Sequence, residues 1–338
     1  MSEYNINSQW TLLERAKRSA DGKTILPILD VMDKRGVQDF LKDVPYFAAN
    51  MGLQNRIVRT TSHPSSTRRS FYQGVGATAV TTQVVWEPLI LFEQRSSIDE
   101  DHLDTVDNPK EARRQEDEGH MAGLLEDYVT AMFTDARTSG EEYIDGFAAR
   151  TSTLSYPGHT TTTYPYCWNT GGTTDLSSLY IVEWGGQACH GLYPGAKAGN
   201  TGMFGISARD KGKEPVLDSS DNTYYAYVSQ FKKWAGLAVH DDRKFCRIAN
   251  IESSITSTNG IDEDLIIQAI NHGKFNLSSS RIYVNPYLKS QIDKKVKDKA
   301  GSAWSIVDTF GKAVPAIWGI PVRVLDDTIL TNSETEVS

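Results

Sequence analysis

The stretch EWGGQACHGLYPGAKAG at 183–199 contains the residues with the greatest potential for chemistry. It places Cys189 beside His190 and continues through glycines to Lys197. These residue types occur in cysteine nucleophiles, in metal sites and in phosphate-binding loops. They also occur where a strand runs into a turn. The spacing of the residues separates these four interpretations.

The spacing argues against a phosphate-binding loop. Such loops follow the pattern G-x-x-x-x-G-K-[ST], in which the lysine comes directly after the glycine. Here Lys197 lies two residues after Gly195, and Ala198 stands where Ser or Thr would bind magnesium. Pro194 has no N–H group to donate to a phosphate. We therefore expect no phosphate site.

The adjacent cysteine and histidine also make a poor nucleophile and base. Neighbouring side chains of a strand point to opposite faces of the sheet, whereas a thiolate and its base must lie within hydrogen-bonding distance. We expect a strand that ends in a Gly/Pro turn. The alternative is a soluble hydrolase that uses Cys189 or the cluster of His240, Asp241 and Asp242.

Two clusters combine histidine with carboxylates, as metal sites do. Glu116 and Asp117 precede His120 on a predicted helix, and HDDR at 240–243 follows a predicted strand. A carboxylate-bridged metal site repeats such a pair on a second helix, and the sequence has no second copy. The three cysteines form no C-x-x-C pair and are expected to be reduced thiols. We expect no metal and no cofactor.

The composition is that of a globular chain with an excess of acid. The sequence has 338 residues, 39% of them hydrophobic, and a formal charge of −8. This charge argues against a broad basic surface for nucleic acid, but not against a protein that encloses it. No apolar run approaches the roughly 20 residues that span a bilayer, and MSEYNINSQW does not resemble a signal peptide. We expect a soluble protein that is not exported by a cleavable signal.

Two elements of the first half are unusually long. Residues 55–95 contain two β runs separated by the polar, basic segment SHPSSTRRS, which predicts an extended hairpin. A hairpin of this kind has little core of its own and normally lies on another element. Residues 108–136 predict a helix with Asn108 as its N-cap and Pro109 in its first turn. Only the second half of that helix has an apolar face.

The remainder of the chain alternates between strands and helices. A short amphipathic helix is predicted at 8–19 and a second short helix at 25–34. Strands are predicted in SLYIVEW, TYYAYVSQFKKWAGLAVH and KFCRIANI. Residues 261–299 predict a helix, a strand and a helix, which form a small α/β or α+β unit, and GIPVRVLDDTIL predicts a last strand before a polar tail at 331–338. We expect an α+β fold for the whole chain.

The hairpin and the helix carry opposite charges. One interpretation is that both are solvated surfaces. The other is that the hairpin of one subunit lies across the helix of the next, where exposed ion pairs of about 0.2–1 kcal/mol each would set the register. The residues of this predicted inter-subunit contact are Arg56, Arg59, Arg68 and Arg69 on the hairpin and Glu111, Glu116, Asp117 and Glu118 on the helix.

The order of these elements resembles the Hong Kong 97-type phage capsid fold. The strings WTLLERAKR, LYIVEWGGQACHGLYPGAKAG, FKKWAGLAVHDDRKFCRIANI and IWGIPVRVLDD resemble the major capsid proteins of short-tailed phages of the epsilon-15 type. They span residues 10 to about 327, so the resemblance covers nearly the whole chain. The longest string is the most specific, whereas GIPV is shared more widely among capsid proteins.

The resemblance implies a shell subunit of a tailed double-stranded DNA bacteriophage rather than an enzyme. It implies an N-terminal arm at 1–54, an extended loop at 55–95, a peripheral domain at 96–250 plus 316–338 with its spine helix at 108–136, and an axial domain at 251–315. The expected partners are further copies of the chain in hexamers and pentamers, with scaffolding, portal and possible decoration proteins. The DNA would be enclosed without sequence-specific binding, in a virion capsid assembled in the host cytoplasm and without a membrane. An encapsulin-like compartment of the same fold is the main alternative.

Overall fold

The computed structural model describes residues 36–195, 206–218, 220–298, 304–309 and 312–338. These residues divide into two units by their contacts. The first unit contains 91–128, 206–218 and 220–234, and the second contains the other described residues. The predicted helices at 8–19 and 25–34 lie outside the described residues.

The helices and strands follow one another in a mixed order that agrees with the predicted α+β class. The helices are α1 (Val37–Asp43), α2 (Glu100–Asp104), α3 (Pro109–Thr134), α4 (Phe147–Arg150), α5 (Glu263–Gly273) and α6 (Pro286–Asp298). The first strands are β1 (Tyr46–Ala48), β2 (Gln54–Ser62), β3 (Thr81–Pro88), β4 (Ile90–Asp99), β5 (Tyr166–Asn169), β6 (Leu176–Glu183) and β7 (Cys189–Tyr193). The later strands are β8 (Ser207–Leu217), β9 (Thr223–Val239), β10 (Phe245–Glu252), β11 (Ser280–Val284), β12 (Trp304–Thr309), β13 (Lys312–Ile317) and β14 (Ile320–Val324).

The first unit contains residues 109–128 of α3 and the hairpin of β8 and β9. Asn108 caps α3, because its Oδ1 accepts a hydrogen bond from the N–H of Glu111 at 3.4 Å, and Pro109 opens the helix as predicted. Strands β8 and β9 pair antiparallel from Ser207↔Lys232 to Leu217↔Thr223. Strand β4 borders β9 in the same sheet.

The second unit is built on a seven-stranded sheet in the order β12-β13-β14-β11-β6-β10-β5. Every residue of the inner strand β6 is buried, because both faces of the sheet are covered. Leu179 and Ile181 face a cluster that includes apolar residues of α5 and α6. Tyr180 points to the other face, as the two-residue period of a strand requires, and its ring lies 5.3 Å from that of Phe133 at the end of α3.

Asparagine and proline position the helix α6 on this sheet. Oδ1 of the fully buried Asn285 accepts a hydrogen bond from the N–H of Leu288 at 2.8 Å, and Pro286 follows as the first helical residue. Nδ2 of Asn285 donates to Oγ of Ser177 at 2.6 Å. One side chain therefore caps the helix and ties it to β6.

The C-terminal segment 331–338, predicted as a polar tail, is polar and partly exposed, and two of its residues attach it to the second unit. Oε2 of Glu334 accepts a hydrogen bond from Nη2 of the buried Arg247 at 2.9 Å and another from Ser178. Val337 is buried, and its N–H donates to Oδ1 of Asn250 at 2.9 Å. The acidic and polar residues of the segment match buried partners that are distant in sequence, which composition alone does not reveal.

We predict that Phe133→Ala destabilises the protein by about 3–5 kcal/mol. The ring of Phe133 is fully buried and lies 5.3–5.8 Å from the rings of Phe40, Phe147, Tyr180 and Tyr283, so its loss leaves a cavity between several elements. Denaturant unfolding measures the effect. The control is Leu217→Ala, at a side chain that is 59% exposed, where a change within about 0.5 kcal/mol is expected. Equal effects of the two substitutions would contradict the prediction.

Candidate assembly surfaces

The glycines of the 183–199 stretch allow two segments of backbone to approach closely. The N–H of Gly191 donates to the carbonyl oxygen of Pro45 at 2.9 Å, and the N–H of Gly195 donates to that of Gly52 at 3.1 Å. A Cβ atom at Gly195 would lie 1.8 Å from the carbonyl oxygen of Ala49. These N–H groups are therefore occupied by protein and do not face a phosphate. Lys197 lies outside the described residues.

Cys189 has the environment of a structural thiol. Its side chain is fully buried, and its Sγ lies 3.9 Å from the carbonyl oxygen of Lys244. Burial raises the pKa of the Cys189 thiol well above its usual value. A nucleophilic cysteine requires the opposite shift and access to substrate, so this site argues against the hydrolase alternative.

His190 is held as a neutral ring in the core. Its ring centroid lies 4.9 Å from that of Phe47 and 4.9 Å from that of His240, and its Nδ1 lies 3.3 Å from the carbonyl oxygen of Gly185. Burial, together with the charge that His240 can carry, lowers the pKa of His190 to about 4. The imidazole is therefore uncharged at neutral pH.

The carboxylates of the two histidine–carboxylate clusters contact nearby basic side chains. Asp241 accepts hydrogen bonds from the guanidinium of Arg243, and Asp242 accepts one from Arg59. Oε1 of Glu116 lies 3.9 Å from Nε2 of His120. Within the described residues, no group of three or more histidines, cysteines or carboxylates has a geometry that could hold a metal ion, and no helix is long and apolar enough to cross a membrane.

Arg59 of the hairpin binds residues of its own chain that lie outside the hairpin. Its Nη1 lies 2.5 Å from Oδ2 of Asp242, and its Nη2 donates to the carbonyl oxygen of Val239 at 2.5 Å. Its side chain is only 17% exposed. Burial raises the pKa of Asp242, although Arg59 and Arg150 oppose that rise. Arg59 therefore fixes strand β2 to the body of the second unit.

A second ion pair fixes the other strand of the hairpin. Glu87, on β3, is 2% exposed and forms a two-pronged pair with Arg150 of α4, at 2.9 Å and 2.6 Å. Nε of Arg150 also donates to the carbonyl oxygen of Asp145 at 2.9 Å. The sequence analysis missed this pair, because its two residues lie in separate elements and no local spacing joins them.

The other hairpin arginines are exposed. Arg56 lies over the ring of Trp86, 5.6 Å from its centroid, in a cation–π contact. Nη1 of Arg69 donates to the carbonyl oxygen of Gln73 at 2.8 Å, within the tip. Arg68 and the rest of the segment 63–80 are exposed along their whole length.

The four acidic residues of the helix lie on the first turns of α3, in the first unit. Glu111 and Glu118 both bind Arg114, with 2.6 Å between Oε1 of Glu111 and Nη2 of Arg114. Oδ2 of Asp117 accepts a hydrogen bond from Oγ of Ser229 at 3.0 Å. The charge of these acidic residues is thus partly neutralised by Arg114 of the same chain.

We predict that acid weakens the fold through His190. Its pKa is about 4 in the folded chain and about 6.5 when exposed, so the unfolded state binds more protons between these values. The free energy of unfolding should therefore fall as the pH is lowered from about 6.5 towards 4. His190→Gln should reduce this slope, and His63→Gln, at an exposed residue, should leave it unchanged. Parallel pH profiles for wild type and His190→Gln would contradict the assignment.

Three solved structures illustrate what this chain is similar to. The chain matches a protein in the structure of bacteriophage Epsilon15 with a TM-score of 0.73 and 19% identity, over 99% of both chains. It matches an encapsulin of Synechococcus elongatus PCC 7942 at 0.43, with 13% identity over 72% of this chain and 96% of that one. It also matches the capsid of bacteriophage JBD30 at 0.46, with 11% identity over 89% and 93%. The last two likenesses are too weak to carry an argument.

The family of this chain follows from a match to a family model. Residues 19–338 match the family model described as Major capsid protein GP7, whereas no curated protein sequence matches. The predicted Hong Kong 97-type fold and the predicted function as a phage shell protein are confirmed. This chain belongs to the major capsid protein GP7 family.

Proposed function

We propose that this chain forms the hexamers and pentamers of an icosahedral phage head that encloses double-stranded DNA, and that it has no catalytic activity. The observation that carries this proposal is the β2–β3 hairpin, whose tip at 63–80 is exposed along its whole length. A two-stranded ribbon has little stability without a supporting surface. A neighbouring copy in the shell supplies such a surface.

The proposed roles of the segments follow the predicted domain bounds. The arm at 1–54, the loop at 55–95 and the spine helix contact neighbouring copies, and the axial domain at 251–315 closes each hexamer or pentamer. The peripheral domain comprises 96–250 and 316–338. Scaffolding and portal proteins, with possible decoration proteins, assist assembly in the host cytoplasm, and the finished protein resides in the virion.

The charge of the chain is consistent with a wall that does not hold DNA tightly. The binding of a protein to DNA strengthens with the number of basic groups that contact phosphates. The formal charge of −8 disfavours a continuous basic lining, so packaged DNA would remain free to leave. The proposed contact with DNA is enclosure without sequence recognition.

The inter-subunit contact is proposed to join the exposed hairpin arginines to the acidic start of α3 in the next copy. Arg68 and Arg69 are the best placed, because both are exposed at the tip. Arg59 contributes indirectly, by holding β2 through Asp242. Arg56 and the acids Glu111, Glu116, Asp117 and Glu118 complete the proposed set.

The first test is the size of the assembled protein. We expect the chain, expressed alone or with a scaffolding protein, to form closed shells or isolated hexamers and pentamers. Negative-stain electron microscopy with light scattering distinguishes these from smaller species. A monomer or dimer that persists in the presence of a scaffolding protein would contradict the proposal. Native particles that contain a protein cargo and no DNA would instead indicate an encapsulin-like compartment.

The second test is reversal of charge at the tip. The double variant Arg68→Glu, Arg69→Glu should assemble poorly but fold normally, because both residues are exposed and exposed substitutions usually change stability by less than about 0.5 kcal/mol. The matched control reverses Arg137 and Lys211, which are also exposed but lie outside the arm, the hairpin and the spine helix. Shell yield by sedimentation and unfolding by circular dichroism are measured on both. Normal shells from the tip variant would exclude these arginines from the contact.

A further inference from the structure

The loop between β10 and α5 contains Asn259–Gly260, the only Asn–Gly pair in the sequence. In such a pair, the backbone nitrogen of the glycine can attack the side-chain amide carbon of the asparagine, because glycine has no Cβ atom to obstruct the approach. Asparagine is accordingly counted among the thermolabile residues of proteins. Ordered structure can prevent the attack, so the contacts of this loop decide whether the pair reacts.

Gln291 of α6 explains why residue 260 is glycine. Its side chain is buried, and it accepts a hydrogen bond from the N–H of Ile261 at 2.8 Å. It also donates to the carbonyl oxygens of Glu252 and Ser254 at 2.6 Å and 3.0 Å. A Cβ atom at residue 260 would lie 2.8 Å from Oε1 of Gln291. Three hydrogen bonds leave this amide little freedom to move aside, so packing disfavours any residue larger than glycine.

Glu252 explains why asparagine precedes this glycine. Oε1 of Glu252 accepts a hydrogen bond from Nδ2 of Asn259 at 3.3 Å, and Oε2 accepts one from Oγ of Ser257. The N–H of Thr173 also donates to Oε1 of Glu252, at 3.2 Å. These three donors lower the pKa of Glu252, so the carboxylate beside Asn259 is ionised at neutral pH.

The reacting nitrogen and the amide are both available in the folded chain. Within the part of the chain that the structure describes, the N–H of Gly260 donates to no acceptor, whereas those of Asn259 and Ile261 each have one. A nitrogen without an acceptor loses no hydrogen bond when it turns towards the neighbouring side chain. Asn259 itself is half-buried, so its amide is within reach of water.

We propose that Asn259–Gly260 is a self-modification site, at which the asparagine converts into aspartate and isoaspartate in the folded chain. A bond forms between Cγ of Asn259 and the nitrogen of Gly260, and the bond between Cγ and Nδ2 breaks. Nδ2 leaves as ammonia and takes up the proton of the Gly260 N–H. A water molecule then opens the cyclic imide at one of its two carbonyl groups. The reaction consumes only water, and it does not depend on assembly or on the proposed function.

The modification changes the charge and the hydrogen bonding of the loop. The new carboxylate cannot donate to Glu252, so a hydrogen bond is replaced by repulsion between like charges. The isoaspartate product also lengthens the backbone next to the carbonyl oxygen of residue 259, which accepts from the N–H of Glu252 at 3.1 Å. Each conversion therefore adds one negative charge and loosens the segment 253–261 against α6.

The direct test is labelling by the solvent water. The purified protein is kept folded in H₂¹⁸O, and the peptide that contains residue 259 is followed by mass spectrometry over time. We expect an acid that carries ¹⁸O at residue 259 and an unchanged amide at the exposed Asn276, which leucine follows. A synthetic peptide of residues 253–263 reports the reactivity of the pair without the fold. Conversion of this peptide but not of the folded protein would overturn the proposal, as would conversion of neither or equal conversion at Asn276.

The second test measures the effect on the loop by hydrogen exchange. Asn259→Asp reproduces the aspartate product and should speed the exchange of the amides of 253–261 at least tenfold. Adding Glu252→Gln removes the repulsion and should reverse most of this increase. The control is Gln268→Glu, which adds the same charge at an exposed residue of α5 and should leave the loop unchanged. Wild-type exchange in Asn259→Asp would contradict the loosening of the loop, and equal effects of Asn259→Asp and Gln268→Glu would contradict its local cause.

Discussion

The fold of the second unit depends on a cluster of aromatic rings that joins elements distant in sequence. Phe133, at the end of α3, contacts Phe40 of α1 at 5.3 Å, Phe147 of α4 at 5.5 Å and Tyr180 of the inner strand β6 at 5.3 Å. These elements are distant in sequence, so only tertiary contact brings the rings together. Aromatic side chains bury a large area for each residue and prefer tilted arrangements with defined angles. The cluster therefore fixes both the closeness and the orientation of α1, α4 and the last turn of α3 (129–134) on one face of the sheet.

The hairpin combines a fixed base with an exposed tip, and this division suits a shell. At the base, Arg59 binds Asp242 and Glu87 binds Arg150, so each strand has its own ion pair to the body of the unit. Both pairs are largely buried, and removing one partner of a buried pair typically costs about 3–5 kcal/mol because the other charge is left unpaired. The direction in which the hairpin leaves the unit is thus set within each copy. The tip at 63–80 is exposed and is therefore available for the proposed contact with neighbouring copies.

The sequence predicted those elements whose signals are local. The long helix was predicted at 108–136 and is found at Pro109–Thr134, because a cap, a proline and an apolar face mark it. The strands β6 and β10 were predicted from the alternating residues of SLYIVEW and KFCRIANI. The ion pairs of the hairpin base could not be predicted, since Arg59 and Asp242 are 183 residues apart. The attachment of the C-terminal segment could not be predicted, because Glu334 and the backbone of Val337 bind Arg247 and Asn250, which only the fold brings near.

The residues that first suggest chemistry illustrate how the same side chains serve architecture. Cysteine and histidine are reactive only in a suitable environment, and here burial keeps both side chains uncharged. It raises the pKa of the Cys189 thiol and lowers that of His190, so neither group is charged at neutral pH. The N–H groups of Gly191 and Gly195, which would bind a phosphate in an open loop, bind the carbonyl oxygens of Pro45 and Gly52. The absence of a side chain at Gly195 is still essential, because it lets β7 and the segment after β1 approach within van der Waals distance. Packing between two backbones therefore excludes a side chain at Gly195, and burial keeps Cys189 and His190 neutral, so these residues have a structural explanation that requires no catalysis.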